Sequence, residues 1–316
     1  MKRSAFVTSA LVAASTAPVL AQQSPPTPAL VPLHVSGTGA DDVAPLLYGE
    51  RAGLFHAVGL DPTFERSNSG SATIAAVVGG SVDIGKSSMG SIITARAKNI
   101  GDLKLHAGGA TYRSVKGDVM LVTAVDSPIR TAKDLNGKTV AVPSLGDQNT
   151  LAVRAWSDAQ GGDSKSISFV EIPSSAGAAA VQQGRVAAAA LVPPFVAHAV
   201  GAGQVRIVAN VFAAIAPRFM ETGWFSTGDY AAKHRDVVVP FGKVMAAASG
   251  YVNAHTAETA DALSAFSGVP TASIIDTGIS YFETSVDPRD IQPLIDAMAK
   301  YGLIDHRFDA ADFLLK

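Results

Sequence analysis

The chain writes one order of elements twice. Ala75-Ala76-Val77, Gly80 and Val82 return as Ala179-Ala180-Val181, Gly184 and Val186, each displaced by 104 positions. In an Ala-rich chain such letters match cheaply. The succession around them is what constrains the fold. In the first copy a strand at Leu33–Ser36 leads through the loop Gly37-Thr38-Gly39-Ala40-Asp41 into a helix from about Asp42 to Arg51, with Gly53 as its stop. A strand at Thr63–Glu65, the loop Arg66–Gly70 and a helix at Ser71–Val78 follow. Val82–Ile84 is the third strand, closed by a loop from Gly85 to Met89. The second copy repeats this: strand Thr139–Val142, loop Pro143–Asn149, helix Thr150–Ala159, strand Ser168–Ile172, loop Pro173–Ser175, helix Ala176–Gln183, strand Val186–Val192.

Strands alternating with helices through short links give a parallel sheet covered on both faces. In such sheets ligands bind beyond the carboxyl ends of the strands. Two copies predict an α/β protein of two doubly wound lobes whose loop edges face one another across a cleft. Met120–Thr123 is expected to cross from the first lobe to the second, and Val205–Val208 with Trp224–Thr227 to end the second and cross back. Helices at Val237–Val252, Ala257–Ser267 and Pro288–Tyr301 are assigned to the first lobe. The division is then 22–123 plus 228–316 for lobe 1 and 124–227 for lobe 2.

Residues 1–21 read as an address. Lys2 and Arg3 precede an uncharged stretch that ends in Val19-Leu20-Ala21, the pattern of a secretory signal peptide. Thr8, Ser9, Ser15, Thr16 and Pro18 interrupt the stretch, which is short for a bilayer span. With no cysteine in the chain a lipid anchor at the cut has no attachment point, so a periplasmic protein without an anchor is expected. The same count excludes disulfides, thiolate metal sites and cysteine nucleophiles. A net charge of −2 on 316 residues argues against a nucleic-acid-binding surface.

The candidate site is the set of loops at the two edges. Thr38, Gly39 and Asp41 follow the first strand. Ser67, Ser69, Gly70 and Ser71 stand at the second edge position and at the start of a helix, and Ser87 and Ser88 follow the third strand. In the second copy Ser144, Gly146, Gln148 and Asn149 are the equivalents, with Pro194 and Phe195 after the last strand and Trp224 as a further aromatic. Hydroxyl and amide side chains at helix starts cap orphan N–H groups. The same helix starts can also receive an anion. Arg66, Lys86 and Arg113 read as solvated surface charges, Tyr48 as packing, and Asp41 and Asp42 as capping carboxylates. No H-E-x-x-H, G-x-S-x-G or P-loop pattern occurs, the seven His are scattered, and Gly37-Thr38-Gly39 fails the dinucleotide fingerprint at Asp42. Neither catalysis nor a cofactor or metal is expected.

Several segments together resemble the bacterial solute-binding proteins of nitrate/sulfonate/taurine ABC transporters. They are Ala44–Tyr48, Ala52–Phe55, Gly59-Leu60, Ser69–Ser71, Val77–Gly85, Asp134–Val142 and Tyr301–Asp305, in order along nearly the whole mature chain. The resemblance implies a type II periplasmic binding fold, a ligand trapped between lobes by hinge closure, and delivery to a membrane permease and its ATPase. It implies a monomer that captures a small organic anion (a sulfonate, a taurine-like solute or a carboxylate). That family commonly carries Glu before the second-lobe proline, where this chain has Pro193 before Pro194. Thiamine-pyrimidine synthases, and binding proteins for thiamine-pyrimidine precursors, share the fold and stand as the alternative; the synthases use a cysteine-rich motif that this chain lacks. A sensor that presents its ligand to a receptor is a third reading.

Overall fold

A computed structural model describes residues 30–114 and 119–315; the expected signal peptide lies outside them. The first unit runs β1 (Val31–Thr38), a single 3-10 turn at Asp41–Val43, α1 (Ala44–Arg51), β2 (Leu60–Ser67), α2 (Gly70–Val78), β3 (Ile84–Ser88), α3 (Met89–Ala97) and β4 (Leu103–Gly108). Then come β5 (Ala110–Tyr112), β6 (Met120–Ala124), β7 (Thr139–Val142), α4 (Gln148–Ala159), β8 (Ser168–Glu171), α5 (Ser174–Gln182), β9 (Ala188–Leu191), α6 (Phe195–Gly201) and β10 (Val205–Ala209). The chain ends through β11 (Phe219–Met220), β12 (Thr222–Thr227), α7 (Gly228–Lys233), α8 (Arg235–Ala254), α9 (Thr256–Ser267), α10 (Thr271–Thr277), β13 (Tyr281–Phe282) and α11 (Gln292–Lys300).

Two five-stranded sheets result, ordered β2-β1-β3-β12-β4 and, read from its β8 edge, β8-β7-β9-β6-β10. In each the first three strands are parallel and the fourth is antiparallel. The echo is kept to the residue. β1 and β7 end at Thr38 and Val142, β2 and β8 at Ser67 and Glu171, and α2 and α5 span Gly70–Val78 and Ser174–Gln182, all 104 positions apart. Small residues set the packing of the second copy. Every residue of the Ala-Ala-Ala-Leu strand β9 is buried, and a Cβ on Gly177 of α5 would lie 2.4 Å from Leu191.

The strands expected to cross between units do not. Met120–Thr123 lies inside the second sheet as its antiparallel member β6, and Trp224–Thr227 lies inside the first as β12. The passages run through β5 and β11, which pair with each other in a separate three-stranded sheet whose other edge, β13, pairs with β5. Tyr112, Phe212 and Phe219 meet there, with ring centroids 5.3 to 5.9 Å apart. Gly85–Ser88, expected as a loop, is strand β3, and a helix follows at once from Met89, capped by Ser88. Its letters look like a loop because Gly and Ser are turn formers. Here Gly85 lets the strand pass within reach of Val77 and Phe225, where a Cβ would sit 2.7 and 2.9 Å away. Of the C-terminal helices, α8 packs on α1 and β4, but α11 touches both α3 and α4, so it is not confined to one sheet. Leu294, Ile295 and Met298 of α11 join Ile92, Ile93, Leu151 and Val153 in one buried cluster.

Candidate functional site

The carboxyl ends of the parallel strands of both sheets turn towards one another around a cavity of about 310 Å³. Thr38, Gly39 and Asp41 enter it after β1, Ser67 and Gly70 after β2, and Ser88 at the end of β3. From the other sheet come Ser144, Gln148 and Asn149 after β7 and Phe195 after β9. These ten candidates share one cavity.

Six other candidates do not line it. Ser69 is spent as the cap of α2, its Oγ accepting from the Ala72 N–H at 3.3 Å and lying 2.9 Å from the exposed Ser71 Oγ. Ser87 is fully buried behind Gly70, where a Cβ would meet its Oγ at 2.3 Å. Gly146 takes φ +66° and its carbonyl accepts from the Thr94 hydroxyl, so it holds a turn. Pro194 follows a cis bond, and its carbonyl accepts from the His198 N–H in the first turn of α6. Trp224 is wholly buried against Phe241, with centroids 5.9 Å apart. A tryptophan in the middle of a sheet covered on both faces is core by position.

Lys86 and Arg113 are arranged differently from their surface reading, while Arg66 is exposed as expected. Lys86 is 0% exposed, and its Nζ donates to Asp42 Oδ1 at 2.5 Å, to the Thr38 carbonyl at 2.9 Å and to Thr38 Oγ1 at 3.1 Å. All three ammonium protons are used, which is what allows a lysine to be buried. Removing it would leave Asp42 buried without a cation, at a cost of about 3–5 kcal/mol. Asp41 caps nothing through its side chain. Its carboxylate accepts from the Ser280 N–H at 2.6 Å and the Ser280 hydroxyl at 3.2 Å. Burial, and then the neighbouring Asp42 charge, push the Asp41 pKa up to about 7. Arg66 lines the cavity with its guanidinium 3.8 Å over the Phe266 ring. Arg113 is half-buried, not solvated, and lies 3.3 Å over Tyr281.

Residues outside the sixteen candidates complete the walls. Asp147 caps α4: Oδ1 accepts from the N–H groups of Asn149 (2.8 Å) and Thr150 (3.3 Å), Oδ2 from Asn149 Nδ2 (2.9 Å) and Ser88 Oγ (3.2 Å). Burial outweighs these donors and raises its pKa to about 6. With Nδ2 so engaged, Asn149 Oδ1 is buried without a donor from the protein. An orphaned buried acceptor costs about 1–3 kcal/mol. Glu221, Thr222 and Ser280 arrive from connecting segments, and Ser174 and Ser175 from the start of α5, which Pro173 leaves without a side-chain cap. The serines could have been found from the 104-residue shift, which maps Gly70-Ser71 onto them. Asp147 could have been found as the strongest capping residue before α4. Glu221, Thr222 and Ser280 have no local motif, because tertiary folding alone brings them in.

Side chains also tie the two edges together. Gln148 accepts from the Gly90 N–H at 3.0 Å and donates to the Glu221 carbonyl at 2.8 Å. Ser91 and Ser144 hydroxyls meet at 3.3 Å, and the Asp41 N–H donates to the Pro193 carbonyl at 3.2 Å. Among the described residues no cluster of His, Cys, Asp or Glu could hold a metal ion, and no helix is long and apolar enough to cross a membrane.

A family model described as NMT1/THI5 like matches residues 40–259. No curated protein matches in sequence. Among solved structures, the alkanesulfonate-binding protein SsuA of Xanthomonas axonopodis pv. citri bound to MOPS is similar at 19% identity and TM-score 0.76, over 91% of this chain and 99% of that one. The periplasmic nitrate-binding protein NrtA of Synechocystis PCC 6803 is similar at 16% identity and TM-score 0.74, over 89% of this chain and 84% of that one. A ligand-binding component of an ABC-type import system from Staphylococcus aureus, with zinc bound, is similar at 13% identity and TM-score 0.76, over 90% and 96% of the two chains. The shared architecture is that of type II periplasmic binding proteins.

Proposed function

The chain belongs to the NMT1/THI5-like family, and we propose that it is the extracytoplasmic solute-binding component of an ABC importer of the sulfonate/nitrate type. In this reading there is one lobe on each five-stranded sheet, and the boundaries move from 123/124 and 227/228 to the passages at β5 and β11. The lobes close on a small organic acid (a sulfonate, a taurine-like solute or a carboxylate) and present it to a permease driven by an ATPase. The protein acts as a monomer and changes no bond in its cargo. Residues 1–21 direct it to the periplasm.

The observation that carries this reading is the cavity between the edges of two equivalent sheets, into which hydroxyls, amides and helix starts converge from both sides. The uncapped start of α5 and the start of α2 lie on opposite sides of it, each offering N–H groups and the positive end of a helix to an acidic group. Hydrogen bonds to a charged group contribute roughly 1.5–3 kcal/mol each, so four of them cover the about 8 kcal/mol of a micromolar complex before ordering costs. The similar structures, an alkanesulfonate-binding protein bound to MOPS and a nitrate-binding protein, support the same reading.

A thermal-shift screen of sulfonates, nitrate, carboxylates and pyrimidines tests the class. A ligand at a hundred times its dissociation constant adds about 2.7 kcal/mol, so a true ligand raises the melting temperature by several degrees. Stabilisation by pyrimidines alone would replace the acid with a pyrimidine, and no stabilisation by any class would remove the reading.

A further inference from the structure

Among the described residues one cationic side chain lines the cavity. Arg66, near the end of β2, is exposed there, with its guanidinium 3.8 Å over the Phe266 ring. Phe266, in the last turn of α9, meets Phe64 of β2 edge-on with centroids 5.7 Å apart, so the ring that carries the guanidinium is itself held in place. A Cβ on Gly39 would lie 3.6 Å from Arg66 Nε and 3.7 Å from Cζ, which is ordinary contact. The guanidinium is thus seated against both the loop after β1 and the end of α9. Seating takes none of its protons. Among the described residues Arg66 donates no hydrogen bond and makes no ion pair, while the carboxylates of the walls are met from elsewhere. Asp42 is held by Lys86; Asp41 is held by Ser280, with the Lys86 charge also acting on it. Asp147 accepts from Asn149, Thr150 and Ser88. The in-plane N–H donors of Arg66 remain for whatever enters the cavity.

We infer that Arg66 is the residue that tells an acid from an uncharged solute of the same shape, and that Phe266 positions it. An aromatic face holds a guanidinium without consuming its in-plane donors, so the fork stays oriented and open to the paired oxygens of a carboxylate or sulfonate. The uncapped start of α5 lines the same cavity from the other sheet, so an acid held by both touches the two sheets at once. The two grips differ in what they read. A helix start carries only about half a charge, and its N–H groups accept a neutral carbonyl as well as an anion. The full charge of Arg66 rewards the anion alone. This deepens the proposed function and rests on it.

The test is calorimetric titration of the full chain with matched pairs, propanoate against propanamide and ethanesulfonate against ethanesulfonamide. The acid of at least one pair is expected to bind about ten-fold or more tightly than its amide, and to weaken as salt is added. Arg66→Gln is expected to cut that preference about five-fold or more and to flatten the salt dependence, two effects that a packing defect alone would not produce. Phe266→Leu keeps an apolar neighbour for Phe64 but offers no ring face. It is expected to cut the preference about two-fold or more with the guanidinium still present, and Phe266→Tyr to restore it. A preference unchanged in Arg66→Gln would overturn the inference and leave acid capture standing on the helix starts. A loss in Arg66→Gln with none in Phe266→Leu would overturn the positioning role of Phe266. No preference for acid over amide in the wild-type chain would overturn the inference and the acid reading together. Binding of no probe would overturn the inference, and the thermal-shift screen then decides separately whether acid capture falls with it.

Discussion

Lys86 and Asp41 mark where single letters mislead. A lysine in Gly-Lys-Ser-Ser reads as a loop charge, and only the β1 carbonyl of Thr38 and the carboxylate of Asp42, more than forty positions away, make its burial tolerable. Asp41 reads as a helix cap, yet its partner Ser280 is 239 positions distant. Long-range pairs leave no local trace. What was legible at this scale was residue type: ten of the candidate side chains do line the cavity, because polar residues after parallel strands have few other places to go. Asp41 also carries a pH signature. Its pKa rises from 3.8 to about 7 on folding, so between about pH 4 and 7 the native state holds a proton that the unfolded chain has released. Stability therefore falls as pH rises through that window, by up to about 1.4 kcal/mol per pH unit for this one group, and levels off above it. Asp147, raised to about 6, adds the same sign up to about pH 6. Melting curves from pH 4 to 8 are expected to show this decline, and Asp41→Asn to flatten it. Parallel slopes in the two proteins would contradict the assignment.

Among elements, the repeat was readable and its joints were not. A 104-residue offset predicted which helices and strands correspond, and the bounds of α2 and α5 keep it to the residue. Helix α3 escaped notice because it begins inside a Met-Gly-Ser stretch without a periodic apolar run long enough to declare it. Its role comes from packing. A Cβ on Gly90 would stand 2.3 Å from the Gln148 backbone nitrogen and 3.0 Å from the Asp147 carbonyl carbon. The first turn of α3 thus rests directly on the start of α4, joining the two sheets. Backbone on backbone cannot give way as a flexible side chain can. Gly90→Ala is expected to part α3 from α4, break the Gly90–Gln148 bond, lower ligand affinity at least ten-fold and destabilise the protein by about 1–3 kcal/mol. Wild-type affinity and melting temperature in this variant would show that the contact does not matter.

For the whole molecule, the architecture follows from topology. Each sheet takes its fourth, antiparallel strand from chain that has just passed through the short sheet of β5 and β11. Two passages run side by side where Tyr112, Phe212 and Phe219 pack together. Hydrogen bonds through Gln148, Ser88 and Ser144 then join the edges around the cavity. In the proposed function the cleft captures its solute without converting it, and that is the central claim. Calorimetric titration of the purified chain with the acid chosen by the thermal screen tests it most directly, since heat reports binding and turnover alike. The expected record is saturation at about one solute per chain, with a dissociation constant of about a micromolar or tighter and a flat baseline afterwards. Heat that continues after saturation would mean that the solute is being converted, and no saturable heat with any acid would mean that the cavity holds something else.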